Sequence, residues 1–195
     1  MISENFEIID SILEDLNENV ILIDPAGSAF TPGSKLYLGG GLSGFIYDKF
    51  NLSGKSHNLG HIQTGRAIFN NELNYDEINP KIKGLIHAVG PNGGNKEQFD
   101  KLLIKTIQSI SIEILKYFGK ENNLEIRIPM ISAGIFGISE YCGCPENFCK
   151  YFDLYYKLLD KFLCKIYKKK GFTIKLGVWS KDEKAGWKMF LEKYI

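Results

Sequence analysis

Leu124-Glu-Ile-Arg-Ile-Pro-Met130 runs without a break into Ile131-Ser-Ala-Gly-Ile-Phe-Gly137, and the reading of this stretch decides the fold. The first part is a short β-branched and aliphatic run, too short for a helix. The second places glycines on both sides of an Ile-Phe pair, which marks a loop at a strand end. Similar runs stand at Phe6–Asp10, Val20–Asp24, Gly84–Val89 and Phe172–Trp179, each bounded by turn residues.

Between the last three of these five strands lie two long helical patterns. Leu103, Ile107, Ile110, Ile114 and Phe118 form one apolar stripe, and Phe148, Phe152, Tyr155, Leu159, Phe162 and Ile166 form another. Asp100 is expected to cap the first, and Lys168–Lys170 followed by Gly171 to close the second. Ser180-Lys-Asp-Glu183 has the spacing of a capping box and opens a last helix carrying Trp187 and Phe190. Alternating strands and helices, with strands apolar along their length, predict a largely parallel sheet covered by helices on both faces. Ligands bind such sheets beyond the carboxyl ends of the strands, here after Asp24, Val89, Met130 and Trp179.

A chain of 195 residues, 44% of them hydrophobic, is long enough for one sizeable core, so one domain spanning 1–195 is expected. A net charge of +1 offers no long-range attraction to a polyanion, which argues against nucleic acid as the main partner. The acidic start, Met1 to Asp10, has no basic segment followed by an apolar one and so reads as no secretory signal. No apolar run reaches the ~18–20 residues of a membrane span. Cys142, Cys144, Cys149 and Cys164 crowd one end of the chain, which fits a reducing compartment, cytosol or nucleus, better than a disulfide framework. Their spacing is atypical for zinc and no nearby His completes a site, so neither a metal nor another cofactor is expected.

After Asp24 come Pro25-Ala-Gly27 and then Gly39-Gly-Gly41-Leu-Ser-Gly44, which opens a helix running to Phe50. Consecutive glycines let backbone N–H groups approach an anion, and the helix adds the positive end of its dipole. The spacing is neither a Walker A nor a Rossmann fingerprint. On the glycines alone, a diphosphate loop and a ligand-free flexible loop are equal readings.

With Gly39–Gly44, Gln63-Thr-Gly65-Arg-Ala67, Gly84-Leu-Ile-His-Ala-Val-Gly-Pro91 and Ile131–Gly137 following one another in this order, the sequence resembles the macrodomains, the ADP-ribose-binding family. The resemblance covers roughly residues 6 to 194. It implies a three-layer α/β/α sandwich with a mixed, largely parallel sheet, and ADP-ribose, free or on a modified protein, lying across its carboxyl edge. By motif position, Gly39, Gly40, Gly41 and Leu42 would meet the diphosphate and distal ribose from one side. Ser132, Ala133, Gly134, Ile135, Phe136 and Gly137 would close over them from the other, with Phe136 on the distal ribose. Ala26 and Gly27 in the first loop join this ligand-contacting set.

Asp10 occupies the position of the family's adenine-binding Asp, and is equally well a turn residue. Trp179 reads either as a wall of the adenine pocket or as a core residue. His87, inside an apolar strand, reads as a buried, hydrogen-bonded histidine.

The pattern breaks in the first loop. Where the family has Val-Asn-Ala-Ala-Asn, this chain has Ile23-Asp24-Pro25-Ala26-Gly27, and Ser43 replaces the Asp common in hydrolytic members. At about 6 Å from a phosphate, an ionised Asp24 would feel roughly 2–3 kcal/mol of repulsion at an effective dielectric of 20. It could serve as general base in an ADP-ribosyl ester or O-acetyl-ADP-ribose hydrolase. It could equally cap the N–H groups of Ala26 and Gly27 as an Asx-turn. Three functions therefore stand open: a reader of ADP-ribose or mono-ADP-ribosylated protein, a mono-ADP-ribosyl hydrolase, and a scaffold that has lost its ligand.

Overall fold

The computed structural model of the chain describes residues 2–27, 41–52, 59–134 and 136–193. Six strands form one sheet: β1 (Phe6–Ile9), β2 (Val20–Asp24), β3 (Arg66–Phe69), β4 (Ile82–Val89), β5 (Glu125–Pro129) and β6 (Thr173–Gly177), in the order β1-β6-β5-β2-β4-β3. All neighbours are parallel except β3, which pairs antiparallel with β4. The five strands read from sequence are present. β3 escaped that reading because Arg66-Ala-Ile-Phe69 is four residues long and lies at an edge, its alternation too brief to show a period.

The helices are α1 (Gly41–Lys49), α2 (Tyr75–Ile78), α3 (Lys96–Phe118), α4 (Pro145–Leu159), α5 (Lys165–Tyr167) and α6 (Lys181–Leu191). A π turn at Asp160–Cys164 joins α4 to α5, and a short 3-10 turn, Lys168–Lys170, follows. The second long helical pattern is thus one segment of changing pitch. It ends, as expected, at Gly171 in the left-handed conformation (φ 69°).

The expected cap of α3 needs correction. Asn95, not Asp100, accepts the N–H of Gln98, so the helix begins a turn earlier than its apolar stripe suggests. Lys96, Glu97 and Gln98 are exposed and leave no apolar trace. Asp100 instead pairs with Lys96 and accepts from the Tyr141 hydroxyl. At α6 the capping box of Ser180 and Glu183 is complete.

Strand alternation divides the core in two. Ile21, Ile23, Ile86, Ile126, Ile128, Ile174 and Leu176 pack with α3, α4 and Phe190 of α6, whereas Val20, Leu22, Leu85 and Val89 pack with Ile46 and Tyr47 of α1 and with Ile12, Leu13 and Leu16. The result is three layers, with α6 lying against α4. Gly186 makes that contact close: a Cβ there would stand 2.5 Å from the Phe148 Cβ and 2.8 Å from the Pro145 carbonyl oxygen.

On the α1 side the sheet also carries a polar chain. Asp24 and His87 face each other across β2 and β4, both fully buried, with His87 Nδ1 2.7 Å from Asp24 Oδ2. Asn70 Oδ1 accepts from the Glu72 N–H, so its amide nitrogen faces His87 Nε2 at 3.1 Å. Nε2 therefore accepts, and the ring proton sits on Nδ1 and donates to Asp24. The Tyr47 hydroxyl reaches Asp24 Oδ2 at 3.5 Å, the long limit of a hydrogen bond. Burial, reinforced by the Asp24 carboxylate, pushes the Tyr47 phenol far above its usual range, which keeps it a donor.

Two stability measurements test this packing. Gly186→Ala should lower the free energy of unfolding by about 1–3 kcal/mol in urea denaturation, with the slope unchanged. His87→Ala leaves the Asp24 carboxyl buried without its donor and should cost about 3 kcal/mol or more; Asp24→Asn, which retains an acceptor for Nδ1–H, should cost clearly less.

Candidate functional site

The carboxyl ends of β1, β6, β5, β2 and β4 open onto one trough made of two adjoining cavities. The larger, about 320 Å³, is lined by Gly41 and Leu42 on one wall and by Ser132, Ala133, Gly134 and Phe136 on the other. Its far end is formed by Asp10, Ser11, Phe45, Trp179 and Glu183. The smaller, about 120 Å³, lies beyond Pro25, Ser132 and Phe136, which border both, and is lined by Ala26, Gly27, Thr64, Gly90 and Asn92. The described parts of the two turns singled out from sequence, Gly41 with Leu42 and Ser132–Gly134 with Phe136, thus line a single cleft. Gly39, Gly40 and Ile135 lie outside the described residues. Gly137 is half-buried behind the loop, its N–H donating to the Gly134 carbonyl.

The wall after β5 is held from two directions. Ser132 adopts a left-handed backbone (φ 60°), uncommon for a residue with a side chain, and its hydroxyl donates to the Pro91 carbonyl at 2.6 Å. Gly90 makes room for this, since a Cβ there would lie 2.4 Å from Ser132 Oγ and 2.3 Å from Ile131 Cγ2. From behind, the Cys142 thiol donates to the Ala133 carbonyl at 3.2 Å. Burial, with the Glu183 charge adding to it, pushes that thiol up to about 11, so at neutral pH it is a donor and not a nucleophile. All four cysteines are free.

The opposite end of the cleft rests on the loop from Asp10 to Asn19. Arg127, in the middle of β5 and only 2% exposed, turns to the α1 side and donates to the carbonyls of Ile12, Glu14 and Asp15. Its Nε pairs with Glu125, whose other oxygen takes the Asn17 amide (2.6 Å) and Lys175 (2.9 Å). The Glu125 carboxyl is desolvated by burial, yet hydrogen bonds from Lys175, Asn17 and Arg127 hold it below the usual carboxylate range. A loop, not a helix, covers this part of the sheet, and its carbonyls require donors from the strand beneath.

Asp10 lines the cleft with its carboxylate exposed and 2.7 Å from Lys184. Trp179 is 56% exposed and stands 5.4 Å, ring to ring, from Phe45, which is 53% exposed. The core reading of Trp179 is therefore overturned: the strand ends at Gly177, and the side chain stands on the rim. Phe136, 38% exposed, borders both cavities.

Asp24 is the chief correction. Its carboxyl turns inward to His87, fully buried, and lines neither cavity. It does not cap the loop either, because the Ala26 N–H bonds to the backbone carbonyls of Asp24 and Ala88. Register explains both departures, since the parallel pairing of β2 with β4 sets Asp24 beside the buried imidazole.

Sequence reasoning missed Phe45 and Glu183 as cleft residues. Phe45 directly precedes the buried Ile46 on α1, and its exposure off the apolar stripe could have flagged it. Glu183 was absorbed by the capping-box reading, although it is also nine-tenths buried against the cleft.

Residues 32–142, more than half of the chain, match the family model described as Macro domain. No curated protein matches it in sequence. Among solved structures, the chain is similar to the Oceanobacillus iheyensis macrodomain with ADP, at 20% identity and a TM-score of 0.65, covering 97% of this chain and 93% of that one. It is also similar to the Trypanosoma brucei macrodomain in complex with ADP-ribose, at 17% identity and a TM-score of 0.57, covering 98% and 69%. An alphavirus P23pro-zbd structure matches at 16% identity and a TM-score of 0.60 over 100% of this chain, which spans only 24% of that chain's length. On the family match and the shared six-stranded architecture, the chain belongs to the Macro domain family.

Proposed function

We propose that this protein binds ADP-ribose, free or attached to a mono-ADP-ribosylated protein, as a reader. The observation that carries the reading is the single trough at the sheet's carboxyl edge, walled by Gly41 and Leu42 on one side and by Ser132, Ala133, Gly134 and Phe136 on the other. Macrodomains of the same fold have been solved with ADP and with ADP-ribose. Their ligands fit the chemistry here in order along the trough. The base lies against Trp179, near Phe45 and Asp10, where an aromatic face and an acceptor meet. The diphosphate lies between the two loops, toward the N-terminus of α1. The distal ribose enters the smaller cavity beside Phe136, Ala26 and Gly27.

Hydrolysis is the weaker reading, because the carboxylate proposed as base is enclosed and hydrogen-bonded to His87, out of reach of a water in the trough. The ligand-free scaffold is disfavoured as well: Phe136 stands on the border of the cavities without filling them, and the larger remains open at about 320 Å³.

Calorimetry with ADP-ribose should give one site per chain with affinity in the micromolar range, about 8 kcal/mol. Trp179→Ala should weaken binding by about 1 kcal/mol, roughly fivefold, with an unchanged melting temperature. No heat from a folded sample at roughly 500 μM ligand would count decisively against the reading.

A further inference from the structure

Glu183 sits at the N3 position of α6, where such a residue ordinarily closes a capping box in solvent. Here it is only 9% exposed and lines the larger cavity together with Trp179, Ala133 and Gly134. One carboxylate oxygen, Oε2, accepts from the N–H groups of both Trp179 and Ser180, at 2.5 and 2.9 Å. Oε1 has no hydrogen-bond partner among the described residues, and it is not among the enclosed polar atoms that lack one, so part of its surface is open to solvent on a side chain that lines the cavity.

A carboxylate so placed imposes a condition on whatever fills the cleft. While the cleft is empty, water satisfies Oε1. A ligand that displaces the water must bring a donor of its own, or a buried acceptor is left bare. An acceptor-only group such as a diphosphate cannot meet the condition, and its charge would be repelled. Burial pushes the Glu183 carboxyl above its ordinary range even though two backbone N–H groups favour its charged form, as expected of a group whose solvation is incomplete. Asp10 lines the same cavity, so two carboxylates contribute to the lining of the cleft.

We propose that Glu183 is a ligand-binding residue that accepts a hydrogen bond from the nucleoside half of the ligand, a ribose hydroxyl or the exocyclic amine of the base, and thereby fixes which end of the ligand lies toward α6. The inference rests on the nucleotide-binding reading above and adds an orientation to it. Capping consumes Oε2 and recognition uses Oε1, so the two roles are held by different atoms of one side chain.

Glu183→Gln separates them. The amide oxygen can keep both backbone N–H groups, which turns the NH₂ toward the cleft and sets a donor where an acceptor stood. The variant should melt with the parent and bind ADP-ribose at least tenfold more weakly. Titrating parent and variant with ADP, 2′-deoxy-ADP, 3′-deoxy-ADP and IDP identifies the donor: the analogue lacking it should bind both proteins equally. Glu183→Asp, which keeps the charge but withdraws it by one methylene, should lose affinity for the same donor, and it decides the matter if the Gln variant does not fold. Binding of ADP-ribose by Glu183→Gln within twofold of the parent would overturn the assignment, as would an equal loss for all four nucleotides. A parent that binds none of these ligands would instead refute the nucleotide-binding reading itself.

Discussion

The hydroxyl of Ser132 reaches the carbonyl of Pro91 only because Gly90 has no side chain to stand between them. Through that contact the loop after β5 is drawn against the loop after β4, although the two strands are separated in the sheet by β2. The left-handed backbone of Ser132 is the local cost, of order 1–3 kcal/mol, and the hydrogen bond, together with the Cys142 thiol behind the loop, offsets it. Were the two loops to part, Phe136 would have no fixed place between the cavities. A second tie between the same loops, the Gly93 N–H donating to the Phe136 carbonyl at 2.9 Å, also holds that residue at the border of the two chambers.

Much of this was legible in the sequence because it depends on glycine position and on period. The β5 run ending in Ser132-Ala-Gly134, the apolar stripe of α3 and the capping box of α6 each leave a mark in residue order. The direction of Asp24 did not. An Asp at a strand end has the same local signature whether it turns to a ligand, to its own loop or to a neighbouring strand. Only the register of β2 against β4, set by contacts some sixty residues apart, brings it to His87. The rim position of Trp179 was undetermined for a similar reason: the end of β6 at Gly177 depends on pairing with β1 and β5, which a local window cannot see.

The two polar assemblies on the α1 side of the sheet divide the labour of holding the cleft. Asp24, His87, Asn70 and Tyr47 join β2 and β4 to the chain after β3 and to the helix that carries one binding wall. Arg127, Glu125 and Lys175 join β5 and β6 to the loop that carries Asp10. Neither assembly lies on the helical side, where α3, α4 and α6 supply apolar stripes and need no such partners. The strand residues that break the apolar pattern, Asp24 and Arg127 among them, fall where the sheet is covered by loops or by the first helix.

This asymmetry bears on how an Asp is accommodated at a position as central as residue 24. A buried carboxyl is costly unless paired, and here Oδ2 is paired with a histidine whose tautomer is set by Asn70, while Oδ1 is enclosed with no hydrogen-bond partner among the described residues. The groups that line the trough are Gly41 and Leu42, the Ser132–Gly134 turn, the aromatic rim, and the carboxylates of Asp10 and Glu183. Among the described residues that line the smaller chamber, Ala26, Gly27, Thr64, Asn92 and Ser132 included, none is a carboxylate. Among the described residues, charge is therefore unevenly placed around the cleft: the carboxylates of Asp10 and Glu183 line the larger cavity, and only neutral groups line the smaller.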